Sequence, residues 1–354
     1  MTARFFCIGP VCARLVRARG WSLALALGFS LSACAQIALP QLPGNPTPQP
    51  PITPTPPVTI PPITPTPPVT PPATLEPRPV GSPDVIVLAF SGRCGAPCSA
   101  PTDNWNYLGA KLVGGQPYWG TIARIQSAFE TLGKMVQSYG YSSHLSTHTS
   151  SAPENYLKPS SEEGFLQLEA KLGQVYADWI RGRSNPTQVV LVGHSHGVNW
   201  THQFARAHPE IPIAYLIDFD GVSSAWESDN KSFIESYYAQ QGKNPWPIAL
   251  EKAAQAIAVE GAEDLFDVKD VVPDNVKYNL ELRSLSNVFI NCDSSGKNFT
   301  PNFIRDNTTN RRVNNTQSGI YRLDSSSECH SQIAFGTGQG VAWVKAKIAE
   351  LRLP

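Results

Sequence analysis

The chain has 354 residues, with 28 basic and 28 acidic side chains and so no net formal charge. That length accommodates one large domain or two small ones, and the lack of a basic excess argues against a nucleic-acid partner. Proline is abundant, at 33 residues, but more than half of it falls between Pro40 and Pro83, so the excess belongs to one segment and not to the fold.

Arg4, Arg14, Arg17 and Arg19 precede an apolar run at residues 21–31. The run is short for a permanent membrane span and reads as the core of an export signal. No other stretch is long and apolar enough to span. Leu31-Ser32-Ala33-Cys34 resembles the lipobox of bacterial lipoproteins. The resemblance implies a signal peptide over residues 1–33, an acylated Cys34, and a protein tethered in the cell envelope outside the cytoplasm by its lipid. A plain secretory signal with a chance cysteine, or a short membrane anchor, is the competing reading. Residues 34–83 form a linker rich in Pro and Thr, in which the nine residues from Pro51 recur from Pro62. Such a segment lacks backbone donors and favours polyproline II, a semi-rigid spacer of roughly 130 Å. A docking motif for a proline-binding module is the alternative.

The domain expected over residues 84–354 opens with the apolar run at 85–90, of strand length and followed by Ser91-Gly92. Ile122, Ile125, Phe129, Leu132, Val136 and Tyr139 recur at intervals of three and four, which predicts one amphipathic helix over 121–139, ended by Gly140. Residues 141–148 read as the next strand. Ser160 and Glu163 suggest a capping box ahead of a helix burying Phe165, Leu168, Leu172, Val175, Tyr176 and Trp179. Buried strands follow at 189–192 and 213–217, a further strand at 276–284, and Val341, Val344, Ile348 and Leu351 mark a closing helix. Strands alternating with helices imply an α/β fold, a mostly parallel sheet with helices on both faces. Its ligand site belongs at the carboxyl ends of the strands.

The informative stretch is the strand at 189–192 running into Gly193-His194-Ser195-His196-Gly197 and then a helical segment. Strand, G-x-S-x-G and helix together are the setting in which a serine hydroxyl is raised on a sharp turn as a nucleophile. The glycines accommodate the tight bend. With the Asp218–Gly221 strand end and His330 ahead of the last helix, these residues resemble the α/β-hydrolase superfamily, its lipase- and esterase-like members in particular. Val272-Pro273-Asp274-Asn275-Val276-Lys277 adds weaker support. The Ser, Asp, His order is the one the superfamily shows. The resemblance implies an α/β-hydrolase fold and a serine hydrolase acting on a small-molecule or lipid ester through an acyl-enzyme on Ser195, with no cofactor.

The resemblance places the general base at His330, and a neutral imidazole suits that task. The acid that orients it is expected at Asp220, with Asp218 and Asp293 as alternatives. One oxyanion donor is expected in the backbone N–H of His196. The resemblance places the second in the loop after the first strand, at Gly92 or Arg93; the sequence departs there from the glycine-rich signature of some lipases, with Ser91-Gly92-Arg93 in its place. His194 and His196 read as wall or core residues of the turn. A His-x-His metal site is the alternative, but no third ligand follows by spacing, so no metal is expected. His144 and His148 read as surface or satisfied polar residues, and His202 and His208 as structural.

Four cysteines remain in the domain, allowing three pairings. Cys94–Cys98 and Cys292–Cys329 are preferred, the latter bracing the His330 loop. A four-cysteine zinc site fits the spacing poorly, and an exported domain sits in an oxidising compartment. Residues 223–270 form a long insertion with Trp226, Phe233, Tyr237, Tyr238 and Trp246 that reads equally as a lid or as core-packed helices. Two rival functions remain open: a non-catalytic surface binding protein on the same scaffold, and a hydrolase of amide or thioester bonds.

Overall fold

The computed structural model describes residues 75–93, 104–109, 120–149, 161–241, 253–285 and 309–352. The signal, Cys34, the repeats of the linker, Cys94, Cys98, Ser160, Trp246, Cys292 and Asp293 lie outside them. Six strands form one all-parallel sheet: β1 (Val85–Phe90), β2 (Val136–Tyr141), β3 (Gln188–His194), β4 (Ile213–Phe219), β5 (Val276–Ser284) and β6 (Ile320–Ser325), in the order β6-β5-β4-β3-β1-β2.

Side chains alternate along each strand and so divide the core in two. Val85, Val87, Ala89, Val190 and Val192 face one layer, where they meet α1 (Thr121–Thr131) and α5 (Gln339–Leu351). Ile86, Leu88, Phe90, Val189 and Leu191 face the other, packed by α2 (Phe165–Val175), α3 (His196–Ala207) and α4 (Trp226–Gln241). All six residues of β1 are fully buried, as a central strand covered on both faces must be. The chain runs outward from β1 to β2, then returns to the other side of β1 to form β3. The carboxyl ends of β1 and β3 thus flank the point where strand order reverses, where doubly wound sheets place their ligands.

The helix expected over 121–139 is two elements. It ends at Thr131, Gly133 takes a left-handed φ of 76°, and residues from Val136 pair with β1 as β2. Intervals of three and four ran across this turn by coincidence: Leu132, Val136 and Tyr139 pack as loop and strand residues. The strand expected over 141–148 is correspondingly a loop beyond Tyr141. Helix α2 starts later than the expected box, with Gly164 as its N-cap and the Gln167 side chain accepting from Gly164 N–H at 3.1 Å. The expected face of α2 is buried through Val175. β6 had no counterpart among the expected strands. Upstream of Asp84 the chain already lies on the domain: Glu76 N–H donates to Gly182 O, and Arg78 pairs with Asp84.

Candidate active site

Ser195 sits between the end of β3 and the first turn of α3, with φ 57° and ψ −125°. A non-glycine residue rarely adopts positive φ, and it does so here because its backbone is tied on both sides. Ser195 N–H donates to Phe219 O at 3.0 Å, and Ser195 O accepts from Val198 N–H at 3.1 Å and Val222 N–H at 3.3 Å. The N–H of His196, the first residue of α3, has no acceptor within the helix, so it lies beside the serine at the positive end of the helix dipole.

Asp220 and His330 come together from strand ends 110 residues apart in sequence. His330 Nδ1 donates to Asp220 Oδ2 at 2.6 Å, and Ser284 N–H at the end of β5 donates to Asp220 Oδ1 at 2.7 Å. Both partners are more than nine-tenths buried. Asp220 takes a φ of 47°, which breaks the alternation of β4 and turns its carboxylate away from the direction of Asp218. Asp218 points into the sheet layer beneath α3, where His202 Nε2 (2.9 Å), Asn279 Nδ2 (2.6 Å) and Asn310 Nδ2 (2.9 Å) donate to its Oδ2. The loop carrying His330 is anchored by Glu328, whose carboxylate accepts from Gln339 N–H (2.6 Å) and Gly340 N–H (2.9 Å) at the start of α5. An anion there also meets the helix dipole favourably. Cys329, next in sequence, is in a disulfide whose partner lies outside the described residues.

The two histidines around Ser195 are buried and bonded to main chain. His194 Nε2 donates to His330 O at 2.8 Å, and Tyr107 Oη lies 2.6 Å from His194 Nδ1. Burial holds the His194 ring well below its ordinary pKa, and the neighbouring His330 acts in the same direction. His196 Nε2 donates to Ser224 O at 2.7 Å, and burial lowers its pKa to about 4. Among the described residues no group of three His, Cys, Asp or Glu side chains is arranged to hold a metal. His208 pairs with Glu169 at 2.8 Å. His144 is buried with its ring 4.2 Å from that of His148, on a loop and not on the expected strand.

Gly92 touches the serine. A Cβ at this position would collide with Ser195 Cβ and with Tyr107 Oη, so the backbone of the loop after β1 approaches the turn as only glycine permits. Its N–H, one of the two expected oxyanion donors, is already engaged: it donates to Tyr107 Oη at 2.5 Å. Arg93 is the other residue of this loop at which a donor is expected. The Arg93 side chain reaches Asp229 on α4, with Nε and Oδ2 2.9 Å apart. In the insertion, Trp226 is fully buried against Trp200, ring centroids 4.8 Å apart, and Phe233 packs on His144. Trp226 is therefore a core residue, and Phe233, partly buried, packs against the same core.

Tyr107, Ser284 and Glu328 were not foreseen. No local pattern marks them: Tyr107 and Ser284 meet partners distant in sequence, and Glu328 closes the turn into α5.

Strand order, the positive-φ serine between β3 and α3, an acid after β4 and a histidine before the last helix together make this an α/β-hydrolase fold. No family model matches the chain, and no curated protein matches it. Solved structures give remote likenesses. Est1E from Butyrivibrio proteoclasticus with bound ferulic acid is 12% identical, over 77% of this chain and 91% of its own, with a TM-score of 0.34. A structure described under LipS and LipT, two metagenome-derived lipolytic enzymes, is 14% identical over 78% and 98%, with a TM-score of 0.34. DcsB in complex with its substrate analogue is 11% identical over 75% and 89%, with a TM-score of 0.33.

Proposed function

We propose that this protein is a serine hydrolase that cleaves carboxylic esters through an acyl-enzyme on Ser195. The observation that carries the reading is the buried His330–Asp220 hydrogen bond of 2.6 Å, with the His330 backbone tied to His194, the residue before a serine on a positive-φ turn. Nδ1–H on Asp220 leaves Nε2 of His330 as the basic nitrogen, the tautomer that a base for a serine hydroxyl requires. His330 takes the Ser195 proton as the hydroxyl attacks the ester carbonyl, and Asp220 stabilises the imidazolium. The tetrahedral oxyanion is received by the N–H groups of His196 and Arg93. Imidazolium then protonates the departing alkoxide, and water repeats the sequence to release the acid. Amide and thioester substrates use the same steps and differ in the leaving group.

The test is labelling by a fluorophosphonate probe. Wild type should label stoichiometrically and Ser195→Ala not at all. A wild type that stays unlabelled beside a reactive control hydrolase means a binding protein on a hydrolase scaffold.

The same proposal places the enzyme in the cell envelope, tethered through acylated Cys34 and residues 34–83, and pairs Cys292 with Cys329 and Cys94 with Cys98. The tetrapeptide ending in Cys34 supports the tether, and the bonded state of Cys329 supports the Cys292–Cys329 bridge. Cys34→Ala should release folded protein from membranes; a variant that stays membrane-bound argues against lipidation.

A further inference from the structure

The residue before the nucleophile, His194, joins the two arms of the site through hydrogen bonds whose directions follow from chemistry alone. A backbone amide only donates, so Gly92 N–H donates to Tyr107 Oη at 2.5 Å. A carbonyl only accepts, so His194 donates from Nε2 to His330 O at 2.8 Å. Burial keeps the His194 ring neutral, and a neutral imidazole with a proton on Nε2 accepts at Nδ1. The Tyr107 hydroxyl therefore donates to Nδ1, at 2.6 Å. The bonds run in one direction, from Gly92 through Tyr107 and His194 to the backbone of His330. The rings are also in contact: His194 lies edge-on to Tyr107, centroids 5.6 Å apart, and 4.7 Å from the ring of His330. Tyr107 itself is buried and held from α1's side of the sheet by Trp105, 5.7 Å away.

Gly92 and His330 belong to the two loops that must be fixed relative to Ser195. Gly92 abuts the serine Cβ, and its inward N–H fixes the Ser91–Gly92 peptide, one residue before the amide of Arg93. Arg93 N–H has no acceptor among the described residues, and the Arg93 side chain is pinned to Asp229. On the other arm, His330 is held at its ring by Asp220 and at its carbonyl by His194.

We propose that His194 and Tyr107 are positioning residues: their hydrogen-bonded chain sets the Gly92–Arg93 backbone and the His330 backbone together, so that Arg93 N–H acts as the second oxyanion donor while His330 faces Ser195. This rests on the reading of Ser195 as the nucleophile. Tyr107→Phe keeps the ring and removes the hydroxyl, leaving Gly92 N–H and His194 Nδ1 buried without their partner. Misplacement of reacting groups by about 1 Å costs on the order of 100-fold in rate.

The experiment is steady-state hydrolysis of p-nitrophenyl acetate by the full chain, with urea midpoints and ring ¹⁵N spectra of each variant. Tyr107→Phe should lower kcat by about 10- to 100-fold, with KM within about twofold; the urea midpoint falls as well, because buried polar groups lose the hydroxyl, but the variant stays folded without urea. His194→Gln, which can still donate and accept, should retain more kcat than His194→Ala. In wild type the His194 ring should show the Nε2-protonated tautomer and stay neutral from about pH 5 to 8, the range in which an ordinary histidine titrates. Unchanged kcat in Tyr107→Phe, a loss confined to KM, equal loss in His194→Gln and His194→Ala, or a titrating or Nδ1-protonated His194 overturns the proposal. A wild type that neither turns over ester nor labels with fluorophosphonate instead removes the nucleophile on which it rests.

Discussion

Asp220 and Ser284 meet at the carboxyl ends of β4 and β5, where the Ser284 amide donates to Asp220 Oδ1 at 2.7 Å and leaves Oδ2 for His330. Because the amide is main chain, the orientation of the acid is set by the pairing of the two strands. Asp218, two residues earlier, is turned to a different set of partners.

Exchanging each of these carboxylates for an amide should therefore separate catalysis from stability. Asp220→Asn should lower kcat by about 10,000-fold, the scale seen when the acid of such a triad is neutralised, with a small change in urea midpoint. Asp218→Asn should keep far more activity and lose stability, because His202, Asn279 and Asn310 all donate to the lost charge. Kinetics and urea unfolding on both variants check this, and the reverse pattern reassigns the acid.

Gly92→Ala places a methyl group against Ser195 Cβ and Tyr107 Oη. The loop must withdraw, taking Arg93 N–H with it, and one oxyanion donor is worth about 100- to 1,000-fold in kcat. A loss of that size, with slowed fluorophosphonate labelling, is the expected outcome; wild-type turnover in Gly92→Ala removes this loop from the oxyanion site.

Glu281 predicts an alkaline limit to stability. Burial pushes its carboxyl up from 4.5 to about 8, with Arg283 and Asn310 N–H pulling the other way and Asp218 and Asp270 adding to the rise. A group whose folded pKa is raised contributes stability that is complete below 4.5 and lost as pH rises through about 8. Urea midpoints of wild type should fall over this window, and Glu281→Gln should flatten the decline. Parallel curves for the two proteins would reject Glu281 as its source.

His196 predicts the acid limit by the opposite sign. Its folded pKa is depressed from 6.5 to about 4, chiefly by burial, so its contribution is complete above 6.5 and lost as pH falls through about 4. His144 is depressed over the same window by burial. Midpoints should drop below pH 6.5, less steeply in His196→Gln; an unchanged slope in that variant assigns the acid limit to other groups.

The sequence by itself determined the parts of this protein that are local. Continuous apolar runs mark three central strands, at 85–90, 189–192 and 213–217, since a strand buried on both faces has no polar alternation to obscure it. Gly193, Ser195 and Gly197 between a strand and a helix marked the turn, because backbone crowding there leaves few residue types. Tertiary structure decided what depends on distant segments. The periodicity across residues 121–139 continued through Gly133, so only pairing with β1 could divide helix from strand. Asp220 was separated from Asp218 by a single positive φ that no composition reveals. The Gly92 amide donates to Tyr107, a residue 15 positions away that the paired strands bring to the serine. A hydrogen bond between loops has no signature in either loop alone; it exists once the sheet has fixed the distance between them.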